Sequence, residues 1–482
     1  MMSSDFEKST AVHLDEGDKP VHGAQENFDA WIDATSDVGA LELGIAGYAY
    51  PDLFAPEKLA ERYAEWDASF AREEPEQHAL FAAYRACRGE GMRPEQISEA
   101  LLAAAPSVSR FVAKLFCVEE AVLAGRTQTE ARKPLWAFKK EVVKKRVFKQ
   151  REAPSAQDLT IARRALAALG APETLLGSGS AEEELAVAEA TLLLVEVDET
   201  GRKAAKAGGA AWTEDLFARA SLVRAALLEA PELRGLDALA VASEQPSHDE
   251  QLRVTGRCLE AIDRWLAARL SDHADPASHW PSLHAPHNVV PEQLVELRRP
   301  SKELPELFVG PPEKARARDG FALTDRRRGP REVEQEIDYC LLCHDRDKDS
   351  CSKGLREAKT GAIKKNAIGV SLPGCPLGEK ISEMHTMRAA GDALAALALV
   401  AIDNPMCGGT GHRICNDCMK ACVFQKQQPV NIPEVETSVL TDVLELPWGF
   451  EIYGFLTRFN PLNVARPHQQ PYRGRNVLVV GL

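Results

Sequence analysis

The strongest constraint on how this chain can fold is a cluster of cysteines near its end. Eight of the eleven cysteines lie between Cys340 and Cys422. They form two groups, Cys340, Cys343, Cys351 and Cys375, and then Cys407, Cys415, Cys418 and Cys422. Residues 1–30 are acidic and lack the apolar core of a secretory signal, so we expect a cytoplasmic location. In that compartment, clustered cysteines favour metal or redox chemistry over disulfide bonds.

Two kinds of metal centre use cysteines with this spacing. Soft thiolates suit iron–sulfur clusters, in which closely spaced cysteines share a cluster with a ligand from a distant segment. Structural zinc also binds Cys-x2-Cys pairs, but Cys351, Cys375 and Cys422 stand outside any such pair. Pro376 follows Cys375, as is typical of a cluster ligand in a tight loop. The pattern therefore favours iron–sulfur clusters, with structural zinc as the alternative.

Motifs around these cysteines also occur together in a known domain. They are YCLLC at 339–343, GCPL at 374–377, NP at 404–405, RICNDCMKAC at 413–422 and PVNI at 429–432. On these motifs, residues 334–470 resemble the helical double-cluster ferredoxin domain of glutamate synthase small chains and dihydropyrimidine dehydrogenase. In that family the domain passes electrons between a flavin, held by an adjoining dinucleotide-binding domain, and a partner.

The resemblance implies two 4Fe–4S clusters and names their ligands. The ligands of the first cluster would be Cys340, Cys343, Cys351 and Cys422. The ligands of the second cluster would be Cys375, Cys415, Cys418 and Glu436. Glu434 is a substitute for Glu436, and Cys407 lies outside the ligand set as an expected neighbour of the second cluster. His344, beside Cys343, could donate a hydrogen bond to a cluster sulfur or lie exposed on a loop.

The last residues, 471–482, differ from the rest of the chain. Val477 to Val480 is a short β-branched run after polar turn residues, which is typical of a buried parallel strand. In the family this strand opens the flavin domain, so Gly481 would begin the cofactor-binding glycine turn. That turn needs further glycines and a helix to bind the pyrophosphate. We therefore expect a truncated α/β domain, with FAD and NAD(P)H bound only by a full-length form and no enzyme activity in this chain alone.

The remaining residues predict a mainly α fold. Residues 28–271 have apolar side chains at helical spacing nearly throughout and form a predicted all-α domain, in which Ser180 and Glu183 make a capping box. Residues 1–27 are acidic and aperiodic, so we expect them to be disordered. Residues 272–333 are rich in proline and are interpreted as an extended connector. The helical ferredoxin domain and the start of the truncated domain would follow.

Charge and hydropathy limit the partners. The net charge of −14 argues against binding to nucleic acid. The basic stretch at 132–151 is therefore interpreted as a solvated helix face or a patch for an acidic protein. The uncharged run at 393–402 is much shorter than the ~20 residues that a membrane span needs. We expect no membrane partner.

These observations lead to two functional hypotheses. The first, implied by the resemblance, is the electron-transfer portion of a flavin-dependent NAD(P)H oxidoreductase, which relays electrons between the flavin and an unidentified acceptor. Its partners would be a flavin domain in the same chain and a protein electron carrier. The second is a non-catalytic scaffold, in which the N-terminal helices bind a protein and the cysteine-rich domain holds structural zinc.

Overall fold

The structure is a computed structural model that describes residues 42–206, 213–233, 247–290, 295–312, 315, 320, 327–346, 348–411 and 414–470. Its regular elements are helices, which confirms the mainly α fold class. Strand-like pairing in the described part is limited to isolated bridges. No described helix is long and apolar enough to cross a membrane. The segment expected to be disordered, 1–27, and the predicted strand with Gly481 lie outside the described residues.

The α-helices lie on either side of residues 272–329, which make up most of the proline-rich segment. Those before it are α1 (Pro56–Glu73), α2 (Pro75–Cys87), α3 (Pro94–Leu115), α4 (Glu119–Phe138), α5 (Ala156–Ala168), α6 (Ala181–Lys206), α7 (Glu214–Leu228) and α8 (His248–Ser271). Those after it are α9 (Pro330–Tyr339), α10 (Ser350–Lys353), α11 (Ile381–Ala389), α12 (Ala393–Asp403), α13 (Cys407–Thr410), α14 (Asp417–Ala421), α15 (Ile432–Leu444) and α16 (Gly449–Arg458).

Local sequence explains where several helices begin. Proline occupies the first position of α1, α2, α3 and α9, where its missing N–H costs nothing. The Oγ atom of Ser180 accepts the Glu183 amide at 3.2 Å, as the predicted capping box requires. The Glu183 carboxylate, however, accepts from the Gly177 amide and from Arg269. The Glu183 carboxylate therefore pairs with Arg269 of α8, and the second half of the predicted capping box does not form.

Two large hydrophobic cores divide most of the described residues. The first combines residues 53–118, from α1 to α3, with residues 333–462, from α9 to α16. Within it α3 packs against α12, and Phe116 meets Phe455 with ring centroids 5.6 Å apart. The second core contains residues 135–283, from the end of α4 through α8. Residues assigned from the sequence to one all-α domain, 28–271, thus contribute to both cores.

The proline-rich segment, 272–333, begins as packed structure. Trp280 and Leu283 are buried in the second core. Further along, the amide of Val289 donates to the Lys426 carbonyl at 3.2 Å, and the amide of Gln428 donates to the His287 carbonyl at 2.8 Å. This part of the expected connector therefore lies against the loop that follows Cys422.

Several cations of the basic stretch at 132–151 pair within the molecule. Arg132 binds Glu334 of α9 at 2.7 Å, and Arg146 binds Asp263 of α8 at 2.8 Å. Lys139 is buried and donates to the Pro281 carbonyl at 2.9 Å. Arg132 therefore links α4 to α9, whereas Arg146 and Lys139 pair with residues of the second core.

Candidate metal centres

Four cysteines from separate segments line one small apolar pocket. They are Cys340 at the end of α9, Cys343 in the turn that follows, Cys351 in α10 and Cys422 at the end of α14. Ile381, Val430 and Ile432 complete much of the pocket wall. The structure therefore brings together the four residues that the resemblance assigns to the first cluster.

The backbone around the pocket is shaped by tight turns. Leu342 has a left-handed conformation with φ of 48°, and its amide donates to the Cys340 sulfur at 3.4 Å. The amide of Cys375 donates to the Cys351 carbonyl at 2.8 Å, so the Cys375 loop lies against α10. Gly374 precedes it with φ of 81°. The Cys375 loop is therefore held against α10, which carries Cys351, although Cys375 itself does not line the pocket.

Burial controls the protonation of the pocket thiols. It raises the pKa of Cys340 to about 12 and raises the pKa values of Cys343, Cys351 and Cys422 as well. The backbone N–H groups of Phe424 and Val430 act in the opposite direction on Cys422. With these raised pKa values the thiols keep their protons, and a bound metal ion would displace the protons and leave thiolate ligands.

A second group of side chains forms around Cys375 and Cys418. Burial raises the pKa of Cys418, and the charges of Cys375, Glu379 and Glu436 raise it further. Burial also raises the pKa of Cys375. The backbone amides of Leu377, Gly378 and Glu379 donate to its sulfur and lower the pKa, but by less than burial raises it. This set contains three of the four ligands assigned to the second cluster, namely Cys375, Cys418 and Glu436.

The carboxylate of Glu436 is part of this group, as the resemblance implied. Glu436 is buried on α15, and the Asn404 side-chain amide donates to it at 3.2 Å. Burial and the neighbouring Glu379 raise its pKa to about 8. Glu434, the substitute, is also buried on α15. A buried carboxyl held neutral in this way is ready to ionise beside a cation.

Cys415 and Cys407 occupy different environments. Cys415, the remaining ligand assigned to the second cluster, is exposed, and its thiol lies beside Asp417. Cys407 is buried near Tyr453 and Glu436, and burial raises its pKa to about 11. Cys407 therefore lies beside the second group, where the resemblance placed a neighbour.

Some features of the site were not apparent from the sequence. Glu379 joins the second group although no spacing rule pointed to it. The only local signal is its position four residues after Cys375. His344 is buried, with Nε2 3.0 Å from the Asp345 carboxylate and Nδ1 without a hydrogen-bond partner among the residues that the structure describes. The alternative of an exposed loop histidine is therefore wrong, because its side chain is enclosed beside the first pocket.

The donor atoms can be compared with the two kinds of metal centre. Within the described ranges, no three or more His, Cys, Asp or Glu side chains are placed to hold a single metal ion. A 4Fe–4S cluster takes one ligand for each iron, so its thiolates surround a space instead of converging on one ion. Four thiols around an apolar pocket, with backbone N–H groups at the Cys340 and Cys422 sulfurs, are the kind of donors that such a cluster takes.

Comparisons with known proteins give limited similarity. No protein-family model matches the chain, and no solved structure matches it. It is similar to two proteins of Rickettsia prowazekii (strain Madrid E). Uncharacterized protein RP006 is 56% identical over 77 residues, 16% of this chain and 11% of that protein. Uncharacterized protein RP005 is 43% identical over 58 residues, 11% of this chain and 19% of that protein. The chain therefore spans less than a fifth of either relative.

Proposed function

We propose that this chain is an electron-transfer protein that binds two 4Fe–4S clusters, like the ferredoxin domain that it resembles. One observation carries the proposal. Cys422 lies 71 residues after Cys351 in the sequence, yet it lines one pocket together with Cys340, Cys343 and Cys351. The resemblance assigned these four residues to one cluster without any knowledge of the fold.

The second group of side chains supports a second cluster. Cys375, Cys418 and Glu436 are close enough for their charges to act on one another. The exposed Cys415 would complete this set from the loop before α14. Glu379 and Cys407 would remain as unligated neighbours.

The protein's own residues would set the properties of the bound clusters. A 4Fe–4S cluster supplies a centre that accepts and donates single electrons. Ile381, Val430 and Ile432 would exclude water from the first one. The backbone N–H groups of Phe424 and Val430 would donate to the Cys422 sulfur, which stabilises its negative charge. These are the means by which a protein tunes a cluster potential.

The proposed setting is a longer, cytoplasmic flavin-dependent NAD(P)H oxidoreductase. In the family that the chain resembles, the ferredoxin domain exchanges electrons with a flavin domain of the same chain. We extend that role to this protein, with FAD and NAD(P)H bound by a full-length form and with a protein carrier as the acceptor. Of these proposals, cluster binding can be tested first.

Cysteine variants test the ligand assignment. Cys340→Ser and Cys422→Ser should each lose the first cluster, and Cys418→Ser should lose the second, because each removes one of four ligands. Cys407→Ser is the matched control, since Cys407 is buried like Cys422 but is not an assigned ligand. Iron content and electron paramagnetic resonance (EPR) of the reduced protein report the result.

The same control variant defines the result that would contradict the ligand assignment. Cys407→Ser should keep both clusters, whereas Glu436→Ala should lose the second. If Cys407→Ser loses a cluster and Glu436→Ala loses none, Cys407 is the eighth ligand and the assignment of Glu436 is wrong.

A further inference from the structure

The first pocket is lined by a serine whose hydroxyl has no partner among the described residues. Ser382 lies in the first turn of α11, is fully buried, and lines the pocket together with the four cysteines. Its Oγ atom has no hydrogen-bond partner within the described part of the chain. Its carbonyl is engaged, since it accepts from the Thr386 hydroxyl at 2.9 Å.

A buried hydroxyl without a partner is costly, because it has lost water and gained nothing in return. Serine in a helix usually bonds to the carbonyl four residues earlier. For Ser382 that residue is Gly378, which lies before the helix begins. Because Ser382 lines the pocket, an acceptor inside the pocket would lie on the same side as this residue and could satisfy its hydroxyl.

We propose that the Ser382 hydroxyl donates a hydrogen bond to a sulfur atom of the first cluster and raises the reduction potential of that cluster. The inference rests on the proposed function. Sulfur is the acceptor that a bound cluster would present to this wall of the pocket. A donated hydrogen bond stabilises the more negative, reduced cluster more than the oxidised one, so the potential rises.

The chain offers a matched control in Ser352. It belongs to α10, is also buried, and its Oγ atom is also without a partner in the described residues. It differs from Ser382 because it does not line the pocket. An effect of Ser382 on the cluster should therefore not be shared by Ser352.

The test is a redox titration of the whole chain, followed by EPR. Ser382→Ala should retain both clusters by iron content and should lower the midpoint potential of the first cluster. Ser352→Ala should leave that potential unchanged. Ser382→Thr and Ser382→Val have nearly the same shape and differ by the hydroxyl, so the threonine variant should have the higher potential.

The outcomes separate the two proposals. Equal first-cluster potentials in Ser382→Ala and the unmodified chain, with both clusters present, would overturn this inference alone. If Ser382→Ala fails to bind the cluster, the threonine and valine variants decide, and equal potentials in that pair overturn it. An unmodified chain without iron and sulfide would instead remove the proposed function itself.

Discussion

At the scale of single residues, Gly374 controls how the Cys375 loop meets α10. It has φ of 81°, and a Cβ atom there would lie 2.5 Å from the Gly354 nitrogen and 2.9 Å from the Ser350 and Ser352 carbonyl oxygens. These neighbours are backbone atoms, which cannot turn away as a side chain would. A side chain at Gly374 would therefore push apart the two loops that carry Cys351 and Cys375.

We expect Gly374→Ala to lose iron and to destabilise the protein by more than the ~1–2 kcal/mol that a left-handed alanine costs alone. Gly369→Ala is the control, because Gly369 has φ of 83° and no atom within 4 Å of the added carbon. Iron content and urea unfolding measure the difference. Equal losses in both variants would show that the close approach has no effect beyond backbone strain.

The residues of the site differ in how far the sequence could predict them. The motifs around the cysteines carry the resemblance that named Cys340, Cys343, Cys351 and Cys422 as expected ligands, and these motifs can be found in the sequence without the fold. Ser382 carries no such signal, because serine is common and only the fold places its hydroxyl in the pocket. Glu379 is similar, since its proximity to Glu436 depends on how the Cys375 loop packs against α15.

At the scale of elements, Asp392 joins three helices. Its carboxylate caps the start of α12 by accepting the Ala395 amide at 3.1 Å. It also accepts from the Ser109 hydroxyl of α3 and from Arg126 of α4, each at 2.6 Å. Asp392 is buried, so this carboxylate has little access to water as an alternative partner.

Asp392→Ala should lower the free energy of unfolding by about 2–4 kcal/mol, because it removes a helix cap and breaks a partly buried ion pair. Asp392→Asn keeps the capping oxygen and loses the charge, so it should cost less. Urea unfolding of the two variants measures both effects. An alanine variant as stable as the asparagine variant would mean that the cap contributes nothing.

Helices themselves were largely predictable from local sequence. The apolar spacing of α3 and α8 and the serine that caps α6 could be identified without the fold. The ion pair of the Glu183 carboxylate could not be predicted in this way, because its partner Arg269 lies on α8. Local rules therefore find the elements, and contacts distant in sequence decide which polar groups pair.

At the scale of the whole molecule, the cysteine-rich region shares its core with the start of the chain. Leu101, Val108 and Val112 of α3 are fully buried in the core that also contains α12 and α16. Ser98 bonds across the same interface to Glu383 of α11. A sequence pattern gives no sign of this pairing, because it joins segments almost 300 residues apart.

A fragment limited to 334–470 should therefore fail to fold as the whole chain does. Each large apolar side chain that α3 no longer covers costs roughly 1.5–3 kcal/mol. Co-expression with a fragment of residues 42–138 should restore a soluble complex that binds iron. Circular dichroism during heating measures folding. A sharp unfolding transition and full iron content in 334–470 alone would contradict the shared core.

The central claim is tested most directly by metal and sulfide analysis of the whole chain purified without oxygen. Two 4Fe–4S clusters predict about eight irons and about eight acid-labile sulfides per chain, together with a brown colour that bleaches on reduction. Stoichiometric zinc without sulfide would contradict the account, and would favour a structural role for the cysteine-rich region.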